Sequence, residues 1–347
     1  MSPTVSGTKI SNFIEKDGVN RLQLSLAVND NDHLRDLTNG LVRADGIVLT
    51  PQILQIEEIF YRFTNNLEWD VSEMSFAKYI SLTAAGNAPM VALPVFPSRV
   101  FRHSAFYVRK NSGITTPAQL QGKTIGIPEW AQTAGVYVRG MLNHYYGIDP
   151  AGITWVQAGV NQPGRKEKVK LSLPKGIRYS SRLDKSLNEM LLAGEIDVAI
   201  TARPPLAFDD ASSGVVRLFA DYRAIEQKYY KETGIFPIMH VIAMRRDVFE
   251  THRWTAMSLY KAFKESKNRS LERLKDITAS GIPLPWQPGF VEDVMTVFGD
   301  DFWPYGIEKN RPTLEAFCRY AFEQGVASQH LEVEELFPKE VHASFRV

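Results

Sequence analysis

Cysteine is nearly absent from this chain of 347 residues. Cys318 stands alone, so no internal disulfide can form and nothing indicates an oxidising compartment. Long apolar runs are missing too: no stretch approaches the roughly 18 residues of a membrane-spanning helix. The amino-terminal MSPTVSGTKISNFIEKDGVNRLQ lacks a basic start followed by an apolar run of roughly 7–15 residues, so no secretory signal is read and a cytoplasmic protein is expected. Neither sign of charge dominates. Forty Lys and Arg against 39 Asp and Glu leave a net charge of +1, which offers nucleic acid or a membrane surface no bulk attraction. HExxH, a close His pair and a cysteine cluster are all lacking, so no metal site is expected; Asp30, Asp32 and His33 form a local acidic-His cluster that reads as a turn. Internal repeats and low-complexity blocks are also absent.

What remains is ordinary globular material, 44% apolar and 23% charged, with length enough for two domains and a real core. The chain centres on GKTIGIPEWAQTAGVYVRGMLNHYY, residues 122–146. A short β run ends at Pro128. A helix follows in which Ala134, Tyr137, Val138, Met141, Leu142 and Tyr145 share one apolar face. Gln132 and Thr133 stand at its start, so free amides and a hydroxyl are presented beyond Glu129 and Trp130, as in an anion site. Most strand-turn-helix units bind nothing, but a Trp and a carboxylate in so short a loop are hard to explain by packing alone.

Around this unit, strands and helices alternate. Residues 22–28 and 47–54 read as strands, 70–75 as a strand-to-helix junction, and a mainly parallel sheet is predicted. Residues 89–108 form a long β-rich run broken by Pro94 and Pro97, read as a first crossing between two lobes. Residues 236–244 make the return crossing, and helices occupy the chain from 254 onward. Residues 1–20 read as a flexible lead-in, 21–102 with 241–347 as a first lobe and 103–240 as a second. The polar, basic segment 159–182 reads as a solvated loop or hairpin, with an oligomer contact or a flap over a site as alternatives.

This α/β, two-lobed plan with a helical C-terminal tail resembles the type II periplasmic-binding-protein fold. Its landmarks are GKTIGI at 122–127, the helix begun at Thr133, and LAGEIDVA at 192–199. Within that fold, FPSRVFRHSAFYVRKNSGI at 96–114, GIPEWAQTAGVYVRGML at 126–142 and GEIDVAITARPP at 194–205 are similar to the 4,5-dihydroxyphthalate decarboxylase family. The resemblance implies a carboxy-lyase acting on a hydroxylated aromatic dicarboxylate. A solute-binding protein for an aromatic or other small carboxylic acid is the alternative, since fold alone does not decide function.

Direct loss of carbon dioxide from an aromatic ring leaves an aryl carbanion, too high in energy at neutral pH. A hydroxyl para to the carboxylate lets the ring carbon be protonated first, after which carbon dioxide leaves as aromaticity returns; no cofactor is needed. Such a site needs cations for two adjacent carboxylates, and Arg99, Arg102 and Arg203 lie at predicted strand ends or crossings. It needs a proton donor: His103 and His240 lie on the predicted crossings, and Glu129 serves as donor or as base for the phenol. Asn29, Ser75, Thr133 and Trp130 are placed to orient the phenols. A small aromatic carboxylic acid is thus the expected partner, with assembly of copies left open.

Overall fold

The alternation of strand and helix resolves into two sheets in a computed structural model that describes residues 13–16, 18–169, 171–279 and 281–342. The elements run β1 (Phe13–Lys16), β2 (Val19–Val28), α1 (Asp32–Thr38), β3 (Ile47–Ile53), α2 (Ile56–Asn66), β4 (Val71–Ser75), α3 (Phe76–Ala84) and β5 (Met90–Leu93). They continue with β6 (Phe106–Arg109), β7 (Thr124–Ile127), α4 (Thr133–His144), β8 (Thr154–Gly159), β9 (Arg178–Ser186), α5 (Leu187–Ala193), β10 (Val198–Ile200), β11 (Val215–Arg217) and α6 (Tyr222–Thr233). The chain ends in β12 (His240–Arg245), α7 (Arg246–Thr251), α8 (Thr255–Lys275), α9 (Gln287–Phe298) and α10 (Arg311–Glu323).

The first sheet has the order β1-β2-β4-β12-β5, with β3 also on β2; the second is β11-β6-β10-β7-β8-β9. Both are mixed, which corrects the expectation of a mainly parallel sheet. β2 is parallel to β3 and β4, and β7 to β8 and β10, through helical crossovers. β12 runs antiparallel to β4 and β5 because it enters from the other sheet and not through a crossover helix. The β-rich run 89–108 is likewise two strands. β5 stops at Leu93, before prolines that have no N–H for a ladder, and β6 starts at Phe106. Part of the predicted lead-in is strand, since β1 pairs antiparallel with β2; residues 1–12 lie outside the described residues. β9 forms at the end of the segment read as a loop or hairpin, as an edge strand whose exposed charges suit that position.

Alternating Leu22, Leu24, Leu26 and Val28 of β2 are all buried, so one face of the strand is core. The helical tail does not close on the first sheet alone. Phe317 of α10 stacks on Phe76 of α3 at 4.8 Å and lies 4.5 Å from Tyr137 of α4, centroid to centroid. α4 can approach α10 this closely because Gly140 has no Cβ, which would fall 2.2 Å from the Tyr320 ring.

The two crossings are tied together. Arg99 and Ile238 form an antiparallel bridge, and Val100 N–H donates to Pro237 O at 3.2 Å. The Arg99 guanidinium, buried under both crossings, donates to Phe236 O at 3.2 Å, Pro304 O at 2.9 Å and Asn310 Oδ1, and lies over the Phe96 and Phe236 rings.

Candidate active site

A cavity of about 520 Å³ opens between the two sheets, and Ser75, Arg102, Glu129, Thr133, Arg203 and His240 all line it. Its floor comes from β4 and β12. Their register pairs His240 with Ser75 and Ile242 with Glu73, so these four side chains share one face. From its place at the start of β12, His240 reaches diagonally to Glu73, and Nδ1 lies 2.7 Å from Oε1. Glu73 is 1% exposed, and its second oxygen accepts Asn29 N–H at 3.0 Å. With Nδ1–H donated to a carboxylate, Nε2 is the nitrogen left for the cavity. The ring of Phe60, a wall residue, lies perpendicular to the imidazole with the centroids 4.9 Å apart.

The roof is the turn before α4. Gln132 caps this helix without a side-chain bond of its own, leaving its first amides open. Thr133 accepts Ala77 N–H at 3.1 Å and lies 3.0 Å from Ser75 Oγ, joining the start of α4 to the start of α3 across the cleft. Glu129 Oε1 receives Arg165 Nε at 2.7 Å and has Lys168 Nζ at 3.4 Å, so it holds the loop after β8 over the cavity. Its other oxygen has no hydrogen-bond partner among the described residues. Segment 159–182, read as a solvated loop or hairpin with a flap over a site among the alternatives, thus contributes Arg165, Glu167 and Lys168 to the wall.

Two of the wall's cations have no carboxylate within ion-pair distance among the described residues: Arg102 and Lys78. Burial pushes Arg102 down to about 10, still protonated at neutral pH, and lowers Lys78. Arg203, by contrast, faces Glu57 at 3.6 Å with both side chains exposed, a weak tie across the mouth. Charges left unpaired in a partly buried wall are prepared for an anionic ligand. Among the described residues no three His, Cys, Asp or Glu side chains gather as a metal site requires.

Four of the predicted residues do not line this cavity. Arg99 is consumed by the crossings described above. His103 is 1% exposed among the rings of Tyr146, Phe219 and Tyr229, with neither ring nitrogen hydrogen-bonded, and burial pushes it down to about 4. Trp130 is core: Nε1 donates to Gln324 O at 2.8 Å and Arg139 covers its ring at 3.8 Å. Asn29 acts one step away, through the amide that holds Glu73, while its Nδ2 donates to Leu54 O.

Behind Arg102, Glu226 accepts His103 N–H at 3.1 Å, and burial raises its carboxyl from 4.5 to about 7. A carboxyl raised on folding favours the folded state while protonated, so this contribution is complete below pH 4.5 and is lost as pH rises through 7. Its full extent is about 3 kcal/mol. Glu226→Gln should accordingly be more stable than wild type at pH 8, by a margin that shrinks steadily as pH falls towards 4.5, as urea unfolding across that range will read.

The chain is similar to known proteins along most of its length. A family model described as NMT1/THI5 like matches residues 73–165, which span Glu73, the α4 turn and Arg165. The periplasmic aliphatic sulphonate binding protein from Escherichia coli superposes with a TM-score of 0.51 over 94% of each chain at 14% identity, which shows the shared two-lobed fold. A 4,5-dihydroxyphthalate decarboxylase from Pseudomonas putida is 37% identical over 214 residues, covering 61% of this chain and 83% of that one. Another from Comamonas testosteroni is 38% identical over 330 residues, covering 95% of this chain and 100% of its own. Identity of that order over nearly the whole of both chains extends well beyond the fold they share with solute binders, and the chain belongs to the 4,5-dihydroxyphthalate decarboxylase family.

Proposed function

We propose that this enzyme removes one carboxylate of 4,5-dihydroxyphthalate as carbon dioxide, giving 3,4-dihydroxybenzoate, in the cavity between the sheets. The observation that carries the reading is one wall holding two cations without acidic partners, Lys78 and Arg102, and an imidazole oriented by a buried carboxylate, His240 on Glu73. Adjacent carboxylates match the cations. His240 Nε2 delivers a proton to the ring carbon that bears the departing carboxylate. As it does so, the hydroxyl para to that carbon gives its proton to the free oxygen of Glu129, and the oxygen's electron pair flows into the ring. The bond to the carboxylate then breaks, carbon dioxide leaves, and the bonding pair restores the aromatic ring and the phenolate. Glu129 returns the phenolic proton, and solvent reprotonates His240.

Incubation with 4,5-dihydroxyphthalate, with and without chelator, should release carbon dioxide and 3,4-dihydroxybenzoate in equal amounts at the same rate. Tight binding without turnover would instead support a solute-binding role. Turnover abolished by chelator would require a metal in the reaction.

A further inference from the structure

Among the described residues, Glu167 is the carboxylate of the cavity wall that is held by backbone amides and by no cation. Its Oε2 accepts Trp130 N–H at 2.5 Å and Ala131 N–H at 3.4 Å, and its Oε1 accepts Lys168 N–H at 3.1 Å. It thus fills the amide turn at Trp130 and Ala131 that precedes α4. Behind the turn, over the Trp130 ring and outside the cavity wall, lies a buried cation. Arg139 is 1% exposed, spans the Trp130 ring, and donates to Trp130 O and to Gln324 Oε1 at 2.8 Å, yet has no carboxylate within ion-pair distance among the described residues. Its Nη1 has no hydrogen-bond partner.

A guanidinium buried without a counterion is costly, and the charge it acts on most strongly is that of Glu167. Amide turn and buried cation together make a carboxylate receptor. The carboxylate occupying it is not well settled, since burial and the neighbouring Glu129 raise Glu167 above its ordinary range. Across the cavity Lys78, without an ion-pair partner, feels the same charge.

We propose that the Trp130–Ala131 turn, backed by Arg139, is the subsite for the carboxylate that the substrate retains, and that Glu167 is its tethered occupant in the empty enzyme. The inference rests on the decarboxylase reading of the cavity. A dicarboxylate, gripped also by Lys78 and Arg102, displaces Glu167. Once carbon dioxide has left, the product keeps only the carboxylate in the turn. Glu167, present at high effective concentration because it is tethered, then competes for the turn and speeds release.

Phthalate tests this, because it carries both carboxylates but has no hydroxyl to drive ring protonation. Calorimetric binding of phthalate and of 3,4-dihydroxybenzoate to the full chain should be about tenfold tighter in Glu167→Ala, the worth of one charge-assisted interaction. Glu129→Gln removes the same charge from the wall but leaves the turn occupied, and should show no such gain. Equal tightening in both variants would mean general electrostatics and would overturn the proposal. Unchanged or weaker phthalate binding in Glu167→Ala, with weakened binding in Lys78→Met, would also overturn it while leaving the decarboxylase cavity standing. No effect in either of those two variants would remove both readings. If Glu167→Ala loses its folded circular dichroism, Glu167→Gln keeps the shape while weakening the acceptor, and about threefold tightening is then the expected result.

Discussion

His240→Gln is expected to lower kcat by about a thousandfold and to leave KM nearly unchanged, within the range for loss of a positioned general acid. Gln fits the space but cannot deliver a proton to carbon, and ring protonation is the step on which the proposed mechanism depends. Glu73→Gln should lower kcat by about a hundredfold through the same imidazole, because a neutral amide no longer stabilises the imidazolium from which Nε2 delivers its proton. The two residues act as a unit, so the double variant should be no slower than His240→Gln alone. Additive losses would show that Glu73 does something independent of His240. Full turnover in His240→Gln would remove the imidazole from the reaction.

Lys78→Met and Arg102→Met are the second large pair. Each deletes a wall cation whose charge has no acidic partner in the empty cavity, so nothing in the protein compensates when substrate arrives. A charge-assisted hydrogen bond is worth about 1.5–3 kcal/mol, which predicts a rise in KM of about 10- to 150-fold for either variant. Arg203→Met should do far less, because Arg203 is exposed and already faces Glu57. Initial-rate kinetics across the three variants check this ranking. If Arg203→Met proves the most damaging, the substrate lies at the mouth and not on the floor.

The architecture was legible because hydrophobic periodicity and turn residues are local. The apolar face of α4 and its start at Gln132 and Thr133 can both be read without knowing what packs where. Ser75, Arg102, Glu129, Thr133, Arg203 and His240 were within reach for the same reason: they sit at element ends, which is where clefts in α/β folds lie.

Glu73 was not within reach. Inside VSEMS it looks like any polar residue in a short strand, and its partner stands 167 positions away on a strand that enters from the other sheet. The only available signal was a carboxylate two residues before the Ser that starts a helix. Arg99 and His103 failed in the opposite sense. They flank Arg102 in the sequence and share its promise, but the crossing turns Arg99 into the crossings and His103 into an aromatic nest. Glu167 and Lys168 were hidden in a run of charges that composition alone assigns to solvent, and only the bonds from Glu129 and the turn amides pull that run over the site.

The knot of Arg99 beneath the paired crossings also bears on how the parts of the site move relative to one another. It lies beside the first residue of β12, His240, the proposed proton donor. If one sheet rotates against the other, displacement grows with distance from that knot. Arg203, at the mouth, sits on the long arm of the lever, and His240 sits almost on the axle. Opening would sweep the rim past the substrate while the acid keeps its aim.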